Sequence, residues 1–167
     1  MANQIIDTGA ADNDGNGETV RSAFTKSNAN FLELFNRPYV IGFFAGGDFA
    51  DGEVFFRHTI KENATFRFYD ADGQTPNVLT GSPPATGTAP SFTVETADST
   101  TERIFTITKN GVSAGTVTFD ALATTGTPSF TAGFIEATID DDIRMVAPTP
   151  VGAEINGLSV TLLGFRS

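Results

Sequence analysis

The densest group of residues able to hold a cation is Asp12-Asn13-Asp14-Gly15-Asn16-Gly17. Alternating oxygen side chains followed by a glycine open a calcium-binding loop in this way, because the side chains reach one hard cation and the glycine permits the sharp turn. The twelfth position of such a loop should supply a bidentate Glu, and here it is Ala23. The spacing therefore predicts an Asx-turn that caps a following helix, with carboxylates suited to the positive end of the helix dipole. Asp140-Asp141-Asp142, between Ile139 and Ile143, could face a cation but reads better as a solvated turn joining two strands. Asp70-Ala71-Asp72-Gly73 ends a strand in an Asp-Gly turn.

His58 is the only histidine, and there is no cysteine. By period two it shares a strand face with Val54, Phe56 and Ile60, which predicts a satisfied, partly buried imidazole. No Ser or Asp stands in a nucleophile context, so triad chemistry has nothing to build on. Glycoside cleavage would need two convergent carboxylates with separated pKa values. A polysaccharide-cleaving spike also generally needs a longer, grooved surface. No catalytic residue, metal site or cofactor is expected, and the chain reads as a non-enzyme.

The elements that would carry these residues are mostly strands. Among 167 residues there are sixteen Phe, two Tyr and no Trp, with only ten Lys plus Arg. That composition, with many Thr, Val and Gly, favours an all-β body. The length allows one β-rich domain with a core plus a short appended segment. A net charge of −10 without clustered Lys or Arg opposes nucleic-acid binding, since phosphate contacts need basic clusters. Without cysteine, stability must come from burial and assembly. Residues 1–7 lack a basic stretch and a long apolar run, so no signal peptide is expected, and no segment reaches bilayer-spanning length. The protein is expected to be made in the cytoplasm of its host and not to insert into membranes.

Residues 2–17 read as an extended arm with tight turns, around the apolar pair Ile5-Ile6. From Glu18 to Asn36, Val20, Phe24, Phe31 and Leu34 recur at spacings of four and three if Ser27 is counted, a heptad-like helical stripe. Asn36-Arg37-Pro38 closes that helix, because proline disfavours helical geometry in the residue before it. The domain boundary is placed there: an arm and helix over 1–37, a β domain over 38–167. Strand-like sequence then begins at Tyr39 and continues over 54–60, 64–69, 91–95, 104–109, 115–119, 129–139, 143–146 and 158–165. These are about as many runs as a jelly roll requires, and the expected fold is a jelly-roll-like antiparallel β-sandwich. Asn110-Gly111 suits a two-residue hairpin turn after 104–109. Residues 74–90, with Pro76, Pro83, Pro84 and Pro90, are predicted to be an exposed loop.

Residues 13–35, NDGNGETVRSAFTKSNANFLELF, resemble a motif of phage virion proteins that include neck-whisker fibritins and various tail fibres. In that family the pattern is N-D-G-x-G-[DE], then x-[LV]-R-x-A-F-x-K-[IV]-N-x-N-F-x-E-L-[YF]. The resemblance implies that Asp14, Gly15, Gly17, Arg21, Phe24, Asn28, Asn30, Phe31 and Leu34 belong to a segment used for trimer formation or docking onto the particle. Ser27 departs from the pattern, standing where the family has an aliphatic residue. A hydroxyl there weakens a stripe in which a coiled coil wants a buried methyl group, so packing of the helix on the chain's own β domain is a second expectation. Gly42 to Gly47, Lys109-Asn110-Gly111 and Val160 to Gly164 look more loosely like a β domain at the ends of phage tail or fibre proteins, with the C-terminal strand paired in the sheet.

The leading expectation is a structural virion subunit, a short fibre or spike of a tailed phage or phage-like particle. It would be a homotrimer anchored through its N-terminal segment to head, neck or tail proteins, with the β domain outward for host attachment. The alternatives are a capsid decoration or cement protein, and a carbohydrate-binding module presenting loop 74–90 to a host glycan. Sugar platforms prefer Trp and Tyr, which are scarce here.

Overall fold

The computed structural model describes residues 5–8, 15–35, 38–71, 89–98, 100–151 and 155–166, apart from the side chains of 32–35 and 55. The chain divides into two compact units, Met1–Arg37 and Pro38–Ser167.

The first unit is built on one helix, α1 (Val20–Phe35). Thr19 caps it: its hydroxyl oxygen accepts the Ser22 amide at 3.3 Å, three residues on, which satisfies one of the donors a helix start leaves open. The helix therefore begins two residues after Glu18. The Asx-turn expected at Asp12, Asn13 and Asp14 lies outside the described residues.

In the second unit, the described residues form ten strands in two antiparallel sheets. They are β1 (Tyr39–Asp48), β2 (Val54–Thr59), β3 (Phe66–Tyr69), β4 (Ser91–Thr96), β5 (Arg103–Lys109), β6 (Val112–Phe119), β7 (Thr127–Phe130), β8 (Phe134–Ala137), β9 (Asp142–Val146) and β10 (Asn156–Arg166). One sheet runs β1-β10-β3-β8, and the other β2-β9-β5-β6-β7. The C-terminal strand β10 is central: β1 pairs along one flank, while β4 and β3 share the other, β4 against its first half and β3 against its end. Setting β4 and β7 aside, the remaining strands in chain order run first–eighth–third–sixth and second–seventh–fourth–fifth. That is the strand order of a jelly roll.

Alternation explains which residues meet between the sheets. Phe105 and Ile107 on β5, Val117 and Phe119 on β6, and Val160 and Leu162 on β10 are all 1% exposed or less, whereas the intervening Thr106, Thr116 and Thr161 are half-buried. Both sheets contribute to one core cluster. Phe43 of β1 reaches Phe56 of β2 across the sandwich, ring centroids 5.4 Å apart. Phe49 and Phe119 both meet Phe105 edge-on, at 6.2 Å and 5.5 Å. Edge-to-face contact suits the aromatic quadrupole, so a Phe-rich sequence gains directional packing as well as burial.

The hairpin at Asn110-Gly111 has φ of 52° and 81° at the two residues, with Lys109 paired to Val112. Positive φ at both central positions matches the right-handed twist of the flanking strands.

Residues 129–139, expected as one strand, are instead two strands in different sheets. β7 lies against β6 and β8 against β3, with a turn at Thr131-Ala132-Gly133 in which Gly133 takes φ 75°. Asp70 holds that corner: its carboxylate accepts the Phe130 amide at 2.9 Å, and its own amide donates to the Gly133 carbonyl at 3.3 Å. Of the proline-rich segment, residues 74–88 lie outside the described residues. Pro90, expected in an exposed loop, is buried just before β4.

A buried carboxylate also fixes the entry to β5. Asp98 is 5% exposed and accepts the Thr100 and Thr101 amides at 2.9 Å and 3.0 Å. Arg103 Nε donates to its other oxygen at 2.8 Å. These amide donors and the guanidinium favour the charged form and hold its pKa down at about 2, from an ordinary 3.8. Because the folded-state value is lowered, this contribution to stability is complete above the unfolded value and disappears as pH falls through about 2. Asp98→Asn is expected to lower Tm by several degrees at neutral pH. The deficit should shrink on acidification from pH 4 to 2, as followed by thermal unfolding of both proteins.

Candidate assembly site

Within the first unit, the segment at residues 5–8 is tied to the start of α1 through Glu18. The Glu18 amide donates to the Asp7 carbonyl at 3.0 Å, and its carboxylate accepts the Asp7 amide at 3.0 Å. The same carboxylate accepts the Ser22 hydroxyl at 2.7 Å and pairs with Lys26 at 2.8 Å. Lys26 in turn donates to the Ile5 carbonyl at 2.9 Å. Lys26 first, then Ser22, lowers the Glu18 pKa. Glu18, Ser22 and Lys26 stand at spacings of four, so the carboxylate just before the helix reaches two side chains of its first turns. They form a clasp that holds residues 5–8 against the helix.

Gly17 makes this approach feasible. A Cβ there would stand 3.2 Å from the Asp7 oxygen and the Thr8 carbonyl carbon. Gly15 takes φ 71°, with open space where a Cβ would be. The two glycines therefore serve different ends, one turning the backbone and the other admitting it.

Beside the clasp is a hollow of about 340 Å³, lined in part by Ile6, Gly17, Val20, Ala23, Phe24 and Ser27. Its apolar rim continues along the helix: Val20 is 72% exposed, Phe24 66% and Phe31 58%. Arg21 and Asn28 are exposed, and Asn30 is half-buried. At 3.6 residues per turn, Arg21 and Asn28 share one flank of the stripe and Asn30 lies on the other. The Arg21 carbonyl accepts the Thr25 hydroxyl at 2.9 Å. Asp14 and the side chain of Leu34 lie outside the described residues. Gly17 and Phe24 thus meet at one hollow, while Arg21, Asn28, Asn30 and Phe31 extend along the helix from it. Ile6, Glu18, Ser22 and Lys26 also belong to this site. Only the i, i+4 spacing of the last three could have marked them in the sequence.

The remaining chemistry-bearing residues are engaged structurally. His58 Nε2 and the Tyr39 hydroxyl share a hydrogen bond at 2.8 Å, and burial holds the imidazole pKa below its ordinary value. Asp140 stands in a turn with φ 67°. Asp141 accepts the Thr138 amide at 2.8 Å and Asn110 Nδ2 at 2.6 Å. Asp142, 7% exposed, pairs with Arg57 at 3.0 Å and with Arg144. Among the described residues, no three His, Cys, Asp or Glu side chains are grouped to hold a metal. No helix among them is long and apolar enough to cross a membrane.

No protein-family description, curated protein or solved structure matches the chain.

Proposed function

We propose that this chain is a structural subunit of a tailed phage or phage-like particle, a short fibre or spike assembled and anchored through residues 1–37, with its β domain outward for host attachment. The observation that carries this reading is the apolar stripe of α1, where Val20, Phe24 and Phe31 are all more than half exposed. A lone 16-residue helix is marginal in water, and one that also exposes two Phe is costly unless another surface covers them. Three identical stripes meeting about an axis provide that cover, and the resemblance of residues 13–35 to the virion motif supports the trimer. Ser27 within the stripe limits how tightly such a bundle packs. The virion placement rests on that resemblance.

A capsid decoration protein is the second reading, favoured by the substantial core that the β unit holds by itself. Light scattering on dilute whole chain and on a version lacking residues 1–37 separates the two. The expected result is a trimer that becomes a monomer on truncation. A trimer surviving truncation would move assembly into the β unit, and a monomer in both cases would favour a decoration protein organised only by its particle.

A further inference from the structure

We propose that Asn110 is a modification site, where spontaneous deamidation is held back by the folded corner around it and, once it has occurred, keeps that corner open. Asn110 precedes Gly111 at the tip of the β5–β6 hairpin, and both residues are exposed. An asparagine before glycine cyclises readily, because the glycine amide brings no side chain with it as it approaches. The Gly111 amide gives its proton to water, and its nitrogen attacks Cγ of Asn110. The Cγ–Nδ2 bond breaks, and Nδ2 takes a proton from water and leaves as ammonia. Water then opens the five-membered imide at either carbonyl, so that residue 110 becomes aspartate or isoaspartate.

In the folded chain both ends of that side-chain amide are engaged. Nδ2 donates to Asp141 Oδ1 at 2.6 Å, and Oδ1 accepts the Asp142 amide at 2.8 Å. The Asn110 amide donates to the Asp142 carbonyl at 2.8 Å, a third tie to the start of β9. The Asp141 carboxylate is itself aimed: its other oxygen accepts the Thr138 amide at 2.8 Å and the Thr138 hydroxyl at 3.2 Å. Carrying Cγ onto the Gly111 nitrogen requires the side chain to turn, and turning breaks the bonds at Nδ2 and Oδ1 together. The first of these has an ionised acceptor and is of the stronger kind. Cyclisation therefore proceeds through the minor population in which the hairpin tip has come away from residues 138–142, and its rate follows that population.

Asn156-Gly157 repeats the dipeptide in a different setting. Asn156 lies in β10 with Asp48 and Thr96 as its strand partners, so it answers to the ladder and not to this corner. The product at residue 110 cannot restore the original contacts. Aspartate has no hydrogen to offer Asp141 and sets a second carboxylate beside it, where like charges repel at short range. Isoaspartate lengthens the main chain by one carbon within a turn whose two-residue length sets the register of the hairpin. An opening of the corner is thereby recorded covalently and in one direction.

Full-length chain held at mildly alkaline pH, folded or unfolded in urea, and followed by peptide mass spectrometry tests this. Conversion at Asn110 should be at least about tenfold slower in the folded chain. The ratio should match the hydrogen-exchange protection of the Asp142 amide, which is released by the same opening. Asp141→Ala should speed conversion at Asn110 about tenfold and leave Asn156 unchanged. Equal acceleration at both positions would assign the effect to general loosening and overturn the inference. Where that variant fails to fold, the match between conversion and exchange in the wild-type chain decides alone. Equal rates in folded and unfolded chain, or a retardation unrelated to the Asp142 protection, overturn it as well. For the product, Asn110→Asp should lower the Asp142 protection about tenfold, and full protection in that variant would show that the corner closes over the new carboxylate and that the change is not one-way.

Discussion

Phe105→Ala is expected to remove about 3–5 kcal/mol of stability, lowering Tm by about 10–15 °C, because it leaves a ring-sized cavity that its surroundings cannot fill. Phe105 is wholly buried on β5, an interior strand of its sheet flanked by β6 and β9. Phe49 and Phe119 both approach it edge-on, so truncation forfeits two aromatic contacts along with the buried area. A loss of that size is a large fraction of the 5–15 kcal/mol typical of a whole domain. The contrast is Phe44→Ala: Phe44 is 57% exposed, and its loss should stay within about 0.5 kcal/mol. Urea unfolding of the two variants provides the comparison. Equal losses would mean that the buried Phe cluster is not what holds the sandwich together.

The same distinction shows how much of this molecule is legible in its sequence. Period-two alternation gave the β character and the inward set, since side-chain direction along a strand is a local property. Asn110-Gly111 specified its hairpin for a similar reason, as positive φ is encoded at the residues that adopt it. The division of residues 129–139 was not legible, because Phe130 ends a strand of one sheet and Phe134 begins a strand of the other. What separates them is the carboxylate of Asp70, sixty positions earlier. Nor did alternation say that Asp98 is buried, since a polar residue between strands reads as a solvated turn until Arg103 and two amides are seen to converge on it. In the first unit the Phe stripe of α1 could be read from spacing alone. The clasp of Glu18 with Ser22 and Lys26 could have been read the same way, but its hold on residues 5–8 is a contact between distant backbones, and that contact gives Gly17 its purpose.

Gly164 presents the same kind of non-local constraint in a form that can be measured. On the central strand β10 it is paired directly with Phe68 of β3, and a Cβ added there would lie 2.6 Å from Phe68 Cε1 and 2.8 Å from Cζ. The ring cannot give way, because Phe68 is itself wholly buried in the core. Gly164→Ala is therefore expected to cost about 1–3 kcal/mol through overpacking, although alanine is otherwise the better residue for the unfolded-state entropy of a strand. Gly42→Ala on β1 is the control, since its Cβ enters open space and should be neutral or slightly stabilising. In a Phe68→Ala background the obstruction is gone, so Gly164→Ala should become nearly free and the two substitutions should couple by about the size of the single clash. Urea unfolding of the four proteins gives that coupling directly. Additive losses would mean that Gly164 is required for its backbone freedom alone, and a matching loss at Gly42 would assign the cost to glycine replacement in any strand rather than to the Phe68 ring.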